Sequence, residues 1–168
     1  MIALAISCEP EVIIADEPTT SVDVTTQAQI LNLLQDLQSR LNSSIILITH
    51  NLAVVAGLCS KIIVMYAGLI VEEGTSTRIF YNPKHPYTWG LLRAVPRIDE
   101  KEKERLTTIK GLPPDLLSPP KGCPFALRCP YAMKICFEER PPYFEVEEGH
   151  RVMCWLLDER AQKVKRGK

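Results

Sequence analysis

No stretch of the 168-residue sequence approaches the roughly 20 consecutive apolar residues that a membrane-crossing helix needs. No basic segment precedes an apolar run at the N-terminus, so nothing reads as an export leader. Neither sign of charge dominates. Twenty Lys and Arg balance twenty Asp and Glu, which disfavours a broadly basic nucleic-acid binder. Aromatic residues are sparse at 7%, and no internal repeat or low-complexity tract is present. What is there suffices for a folded protein. Apolar residues make up 46% and charged residues 24%, enough buried surface to offset chain entropy. The length suits one domain with a small annex.

Composition shifts near Pro96. Four of the thirteen prolines fall in residues 1–95 and nine in 96–168. Four of the six cysteines, Cys123, Cys129, Cys136 and Cys154, also crowd into the second segment, whereas Cys8 and Cys59 stand alone among apolar neighbours. The expected division is therefore 1–95 and 96–168, with the charged run 99–105 as a solvated connector or short helix.

The first segment reads as α/β. Residues 1–8 resemble the end of an apolar helix. Val12 to Ala15 and Ile45 to Ile48 are continuous aliphatic runs, the pattern of strands covered on both faces. Between them, Ile30, Leu34, Leu37 and Leu41 form one apolar stripe and predict a helix over 24–41. Thr26 and Gln29 have capping-box spacing at its start, and Asp23 is the alternative cap. A short helix over 52–58, a hairpin around Ala67-Gly68, and helices over 75–81 and 86–94 follow. Strand, helix, strand implies a parallel pair, whose chemistry gathers at the carboxyl ends of the strands.

Both strand ends carry reactive side chains. The first ends in Asp16-Glu17-Pro18-Thr19-Thr20. Two adjacent carboxylates there need compensation, and a Mg²⁺–nucleotide site supplies it: the Asp would hold the ion and the Glu would orient or deprotonate water. The competing interpretation is a pair of acids capping the next helix. The second strand ends in Thr49-His50-Asn51, and a lone His is usually structural or merely exposed. Its place beside the acidic strand end singles it out.

Together VIIADEPTTSVDVTTQAQI and IILITHNLAVVAGLCSKIIVMYAGLIVEEG resemble the second half of an ATP-binding cassette (ABC) ATPase domain. The resemblance implies that Asp16 positions Mg²⁺, that Glu17 polarises the attacking water, and that His50 is the switch histidine on the γ-phosphate. Ser21-Val22-Asp23 matches the D-loop, where the family usually has Ala-Leu-Asp, so Asp23 would communicate across an ATPase dimer. No Gly-x-x-x-x-Gly-Lys-Ser/Thr is present to cradle phosphates, and the only Gly-Lys pair is Gly167-Lys168. The Q-loop glutamine and the Ser-Gly-Gly signature also lack counterparts. The chain is thus expected to be a C-terminal fragment with no ATPase activity of its own.

The cysteines are spaced Cys123-x5-Cys129-x6-Cys136-x17-Cys154. Tight C-x₂₋₄-C zinc knuckles are absent, while four thiolates in a wider array can hold an iron–sulfur cluster. Lys121, Arg128 and Lys134 would offset its negative charge, and His150 is either a substitute ligand or an orienting or surface residue. Four free buried thiols are the alternative. The segments YNPKHPYTWGLLRAVPR and GLPPDLLSPPKGCPFALRCPYAMKICFEERPPYFEVEEGHRVMCWL resemble the C-terminal extension of oligopeptide/dipeptide importer ATPases, a group with nickel-importer relatives. That resemblance implies a [4Fe–4S] cluster on the four cysteines, with zinc as second choice. It further implies ATP and Mg²⁺ in the complete subunit, a second ATPase subunit, and transmembrane permeases. An extracytoplasmic peptide-binding protein would act indirectly, and the location would be peripheral on the cytoplasmic face of the membrane. A stand-alone iron–sulfur or regulatory remnant is the rival; a soluble ABC ATPase of DNA repair or translation is a weaker one. The basic tail after Asp158 reads as a frayed terminus or an anionic-membrane contact.

Overall fold

The computed structural model describes residues 2–95 and 109–164. The charged run 99–105 and the last four residues of the basic tail lie outside the described residues. The chain parts into two units, Met1–Cys59 and Ser60–Lys168.

In the first unit, α1 (Ile2–Ile6) precedes β1 (Val12–Asp16), α2 (Val24–Leu41), β2 (Ser44–Ile48) and α3 (Leu52–Val55). β1 and β2 pair in parallel from Val12↔Ser44 to Asp16↔Ile48, as the strand–helix–strand order requires. Asp23 is the N-cap of α2. Its Oδ1 accepts from the Thr26 amide at 2.9 Å, and its Oδ2 accepts from the Thr26 hydroxyl at 2.6 Å. The capping role therefore falls to Asp23, not to the Asp16-Glu17 pair. Asn42 closes the helix in the left-handed region, φ 50°. From the predicted stripe, Leu34 and Leu37 are buried, each worth about 1.5–3 kcal/mol of burial. The strands differ from expectation. Ile13 and Ala15 are buried, but Val12, Ile14, Ile46 and Ile48 are exposed. One face of the pair is open among the described residues, because the aliphatic runs supply two apolar faces and the helix covers one.

In the second unit, β3 (Lys61–Tyr66) and β4 (Leu69–Thr75) form the expected hairpin. Ala67 (φ 49°) and Gly68 (φ 76°) turn it in the left-handed region that matches strand twist. Then come α4 (Ser76–Tyr81), α5 (Pro86–Arg93), a 3₁₀ turn (Ala126–Arg128), α6 (Lys134–Glu138), β5 (Tyr143–Glu147), β6 (His150–Met153) and a 3₁₀ turn (Trp155–Leu157). The sheet order is β3-β4-β6-β5, antiparallel throughout. The boundary expected between 95 and 96 does not coincide with the observed division. β4 pairs with β6, so the hairpin joins the cysteine-bearing segment, and the units part at 59/60 instead.

Val71 of β4 and Val152 of β6 have no exposure, and Val152 stands opposite Glu72 in the β4–β6 register. Beside them, Glu72 is equally buried. Its Oε1 accepts from the Lys84 amide at 2.6 Å and pairs with His150 Nε2 at 2.9 Å, while its Oε2 accepts from the His85 amide at 3.0 Å. Across the same strands, Arg151 Nε donates to Glu73 Oε1 at 2.7 Å, and this contact holds Glu73 below the usual carboxylate range. Phe125 packs on Tyr66 and Tyr87 at ring separations of 5.2 and 5.4 Å. It thereby seats the first cysteine loop on β3 and α5.

His85 caps α5: its Nδ1 accepts from the Tyr87 amide at 3.0 Å, with Pro86 at the first helical position. It is 1% exposed, and burial pushes its pKa down from 6.5 to about 3. The unfolded chain takes up this proton near pH 6.5 and the folded chain refuses it. Stability from this residue is therefore complete above pH 6.5 and declines as pH falls toward about 3. The slope approaches one proton, about 1.4 kcal/mol per pH unit. Urea midpoints taken from pH 7 downward should fall accordingly. His85→Asn, which keeps a capping oxygen, should flatten the decline above the carboxylate range; an unchanged slope would exclude His85 as its source.

Candidate functional site

At the parallel strand ends, Asp16 closes β1 opposite Ile48, the last residue of β2. Asp16 is exposed, so its charge stays hydrated. Glu17 follows with φ 46°, left-handed and costly for a side-chain-bearing residue. Its amide donates to the Ile48 carbonyl at 2.9 Å, which fixes the turn over the end of β2. The Glu17 carboxylate is engaged on both oxygens. Oε1 meets His50 Nδ1 at 2.8 Å and accepts from the His50 amide at 3.2 Å, while Oε2 accepts from the Thr20 hydroxyl at 2.8 Å. The His50 contact, then the Thr20 contact, hold Glu17 below the usual carboxylate range. Both side chains are substantially exposed, 36% for Glu17 and 79% for His50, so the pair positions groups more than it stabilises the fold.

The structure thus joins Glu17 and His50 directly and places Asp16 beside them. Asp23 stands apart from them and caps α2. Thr20 is the residue missed by sequence reasoning. Its signal was its place three residues after Glu17, the spacing of a one-turn hydroxyl–carboxylate bond, and the Thr20 amide closes that turn on the Glu17 carbonyl at 3.1 Å.

The second unit holds four of the six cysteines, Cys123, Cys129, Cys136 and Cys154, and none of them is in a disulfide. Cys123, Cys136 and Cys154 are buried and Cys129 is half-buried. Each sits at a tight turn. The Cys123 carbonyl accepts from the Ala126 amide at 3.0 Å, and the Cys129 amide donates to Ala126 at 3.2 Å. The Cys136 amide donates to Met133 at 2.9 Å, and the Cys154 carbonyl accepts from Leu157 at 3.2 Å. Burial pushes the Cys129 thiol up to about 11 and the Cys154 thiol up to about 12. Electrostatic influence runs between every pair of the four, in the same direction, so the four thiols share one neighbourhood. Among the described residues, however, no three His, Cys, Asp or Glu side chains form a group that could hold a metal ion. Neither the expected iron–sulfur cluster nor zinc, the second choice, gains support from that arrangement.

The expected counter-charges are placed elsewhere. Arg128 Nε donates to the Lys110 carbonyl at 3.1 Å, Nη2 to the Ile109 carbonyl at 3.0 Å, and Nη1 to the Tyr66 hydroxyl at 3.2 Å. Lys134 pairs with Glu138 at 3.6 Å on the surface. His150 is neither a ligand nor a surface residue: it orients against Glu72 at the sheet centre. A cavity of about 250 Å³ opens against Cys123 and Cys136, walled by Pro114, Pro120, Pro124 and Phe137.

The Glu17 carboxylate should titrate below an ordinary glutamate in a carbon-detected NMR experiment on this chain. His50→Ala should move it up toward the ordinary range, and Thr20→Ala should move it up by less. A titration indifferent to both substitutions would contradict the geometry.

The family model described as the oligopeptide/dipeptide transporter, C-terminal region, matches residues 71–136. The dipeptide transport ATP-binding protein of Lactococcus lactis subsp. cremoris is 58% identical over 164 residues, covering 98% of this chain and 47% of the relative. The oligopeptide transport ATP-binding protein of Bacillus subtilis is 56% identical over 164 residues, 98% of this chain and 46% of the relative. That of Escherichia coli is 54% identical over 155 residues, 92% of this chain and 45% of the relative. The chain spans about half the length of the curated relatives it matches. By its motifs and by these identities, it belongs to the family of oligopeptide/dipeptide ABC transporter ATP-binding proteins.

Proposed function

We propose that this chain supplies the hydrolytic strand ends of an ATPase subunit that powers peptide import. The observation that carries the proposal is the 2.8 Å contact between Glu17 and His50 at the ends of neighbouring parallel strands, with Asp16 beside them. In the complete subunit Asp16 would hold Mg²⁺ and Glu17 would orient and polarise water. His50 would reach the γ-phosphate, and Asp23 would face the partner ATPase. Bound Mg-ATP would supply the phosphoryl group and its charge; this chain's residues position water and proton. Thr20 and His50 share the Glu17 carboxylate, so freeing it for water requires one of them to release it.

In this reading residues 1–95 are the cassette part and 96–168 the importer-type extension. The partners are a second ATPase subunit, transmembrane permeases and, at one remove, an external peptide-binding protein, with the subunit peripheral on the cytoplasmic face. No helix among the described residues is long and apolar enough to cross a membrane. The relatives named above are dipeptide and oligopeptide proteins, which favours peptide over nickel as solute. The rival reading, a stand-alone iron–sulfur or regulatory remnant, gains no support from them. Nor does a DNA-repair or translation ATPase.

Glu17→Gln in the complete subunit should cut ATP-driven uptake of a labelled tripeptide by about a hundredfold or more, the scale of a lost general base. The chain 1–168 alone should not turn over Mg-ATP, since it holds no phosphate-cradling loop. Uptake unaffected by Glu17→Gln would overturn the proposal, as would robust turnover by 1–168 that Glu17→Gln abolishes.

The four cysteines we assign to a [4Fe–4S] cluster. What supports this is the set of free thiols in one neighbourhood, on four tight turns, with no disulfide. The bound cluster would supply redox-active iron and four covalent ties. Protein purified without oxygen should contain iron and acid-labile sulfide in equal amounts, both lost in Cys136→Ser. Absence of both from the wild-type chain would overturn the assignment.

A further inference from the structure

Two of the four thiol-bearing segments touch through their backbones. The Cys123 amide donates to the Cys136 carbonyl at 2.7 Å. This approach passes directly over Gly122. A Cβ at that position would fall far inside contact distance of the Cys136 carbonyl oxygen, and would stand 2.8 and 2.9 Å from the carbonyl carbon and oxygen of Phe137. All three obstacles are backbone atoms, so no rotamer change relieves them. Gly57 offers the contrast: a Cβ there meets nothing within 4 Å, and its backbone is not in the left-handed region.

We propose that Gly122 is a positioning residue of the cysteine site: its missing side chain sets the separation of Cys123 from Cys136. A side chain at 122 forces the loop before Cys123 away from the end of α6. The Cys123–Cys136 hydrogen bond then breaks, and the two sulfurs part while all four thiols remain chemically intact. The remaining anchors of the loop do not depend on that contact. Phe125 is held by Tyr66 and Tyr87, and Arg128 by the carbonyls of Ile109 and Lys110. The displacement is therefore local to the thiols, and the sheet stays in place. The consequence for metal loading rests on the cluster assignment above; the consequence for thiol separation does not.

Two readouts separate them. Cys123 and Cys136 line one cavity, so a short dibromide such as dibromobimane, which loses one bromide to each thiol, can bridge them, and mass spectrometry locates the bridge. The wild-type apoprotein should give the 123–136 bridge, and Gly122→Ala should lose it. Gly57→Ala, with its unobstructed Cβ, should keep it. Iron and sulfide per chain should drop about tenfold or more in Gly122→Ala, the scale of a lost supporting contact at a metal site. Circular dichroism and Trp89 fluorescence should stay those of the folded chain. A 123–136 bridge retained in Gly122→Ala, or absent from the wild type, would overturn the proposal. So would a global collapse in Gly122→Ala, which would make the glycine a folding determinant of the whole unit. If the bridge is lost as expected but the wild type takes up no iron, the positioning role stands and the cluster assignment falls.

Discussion

Glu72 puts a carboxylate at the centre of the second unit with no exposure to water, and three donors must converge on it for that to be tolerable. They come from separate parts of the chain. The amides of Lys84 and His85 belong to the approach to α5, and the His150 ring belongs to β6, 78 residues away. Leaving a buried polar group without its partner costs about 1–3 kcal/mol, so the three segments are locked to a common geometry. Everything attached to them inherits it. His85 is both a neighbour of the carboxylate and the cap of α5, and β6 runs on from His150 through Met153 to Cys154. The thiol neighbourhood is thus tied to a polar contact that contains no cysteine.

The strand ends of the first unit work by different physics. Their groups are hydrated, and the protein spends backbone strain there instead of burial. Glu17 and Ser21 both lie in the left-handed region without being glycine, φ 46° and 64°. The conformation folds the segment after β1 back over the end of β2, where the carboxylate meets His50. Asp23, two residues beyond Ser21, anchors the same segment by capping α2. A short strained turn is thus held at one end by a sheet hydrogen bond and at the other by a helix cap. Its reactive side chain is left at the surface, where a ligand can reach it.

The legible parts of the fold were those written in local periodicity or local chemistry. The helix over 24–41 follows from a leucine stripe and a cap. The β3–β4 hairpin follows from aliphatic strands around a turn pair. Burial was less legible, because Val12, Ile14, Ile46 and Ile48 look like core residues whatever packs on them. The β5–β6 hairpin escaped notice. Its strands are short, Glu145, Glu147 and Arg151 face outward, and neighbouring prolines and cysteines dominate the pattern. The Glu72–His150 pair had no local signal at all, since neither residue carries a mark of a partner so distant in sequence. For the candidate site, Asp16, Glu17 and His50 were found from strand ends and motif. Thr20 was not, because a threonine in a turn is ordinary until its hydroxyl is seen on the carboxylate.

The strand order β3-β4-β6-β5 also has a meaning in time. β5 precedes β6 in the chain, yet its backbone ladder runs to β6, with the Tyr143 hydroxyl reaching past it to the Ile70 carbonyl of β4 at 3.0 Å. While the ribosome is still making residue 149, Cys123, Cys129 and Cys136 are already present. The strand that seats the last thiol is not, and the carboxylate of Glu72 still waits for its imidazole. The site is therefore completed only when β6 arrives: a chain cut short before it holds three of the four thiols and a β4 edge without its β6 partner.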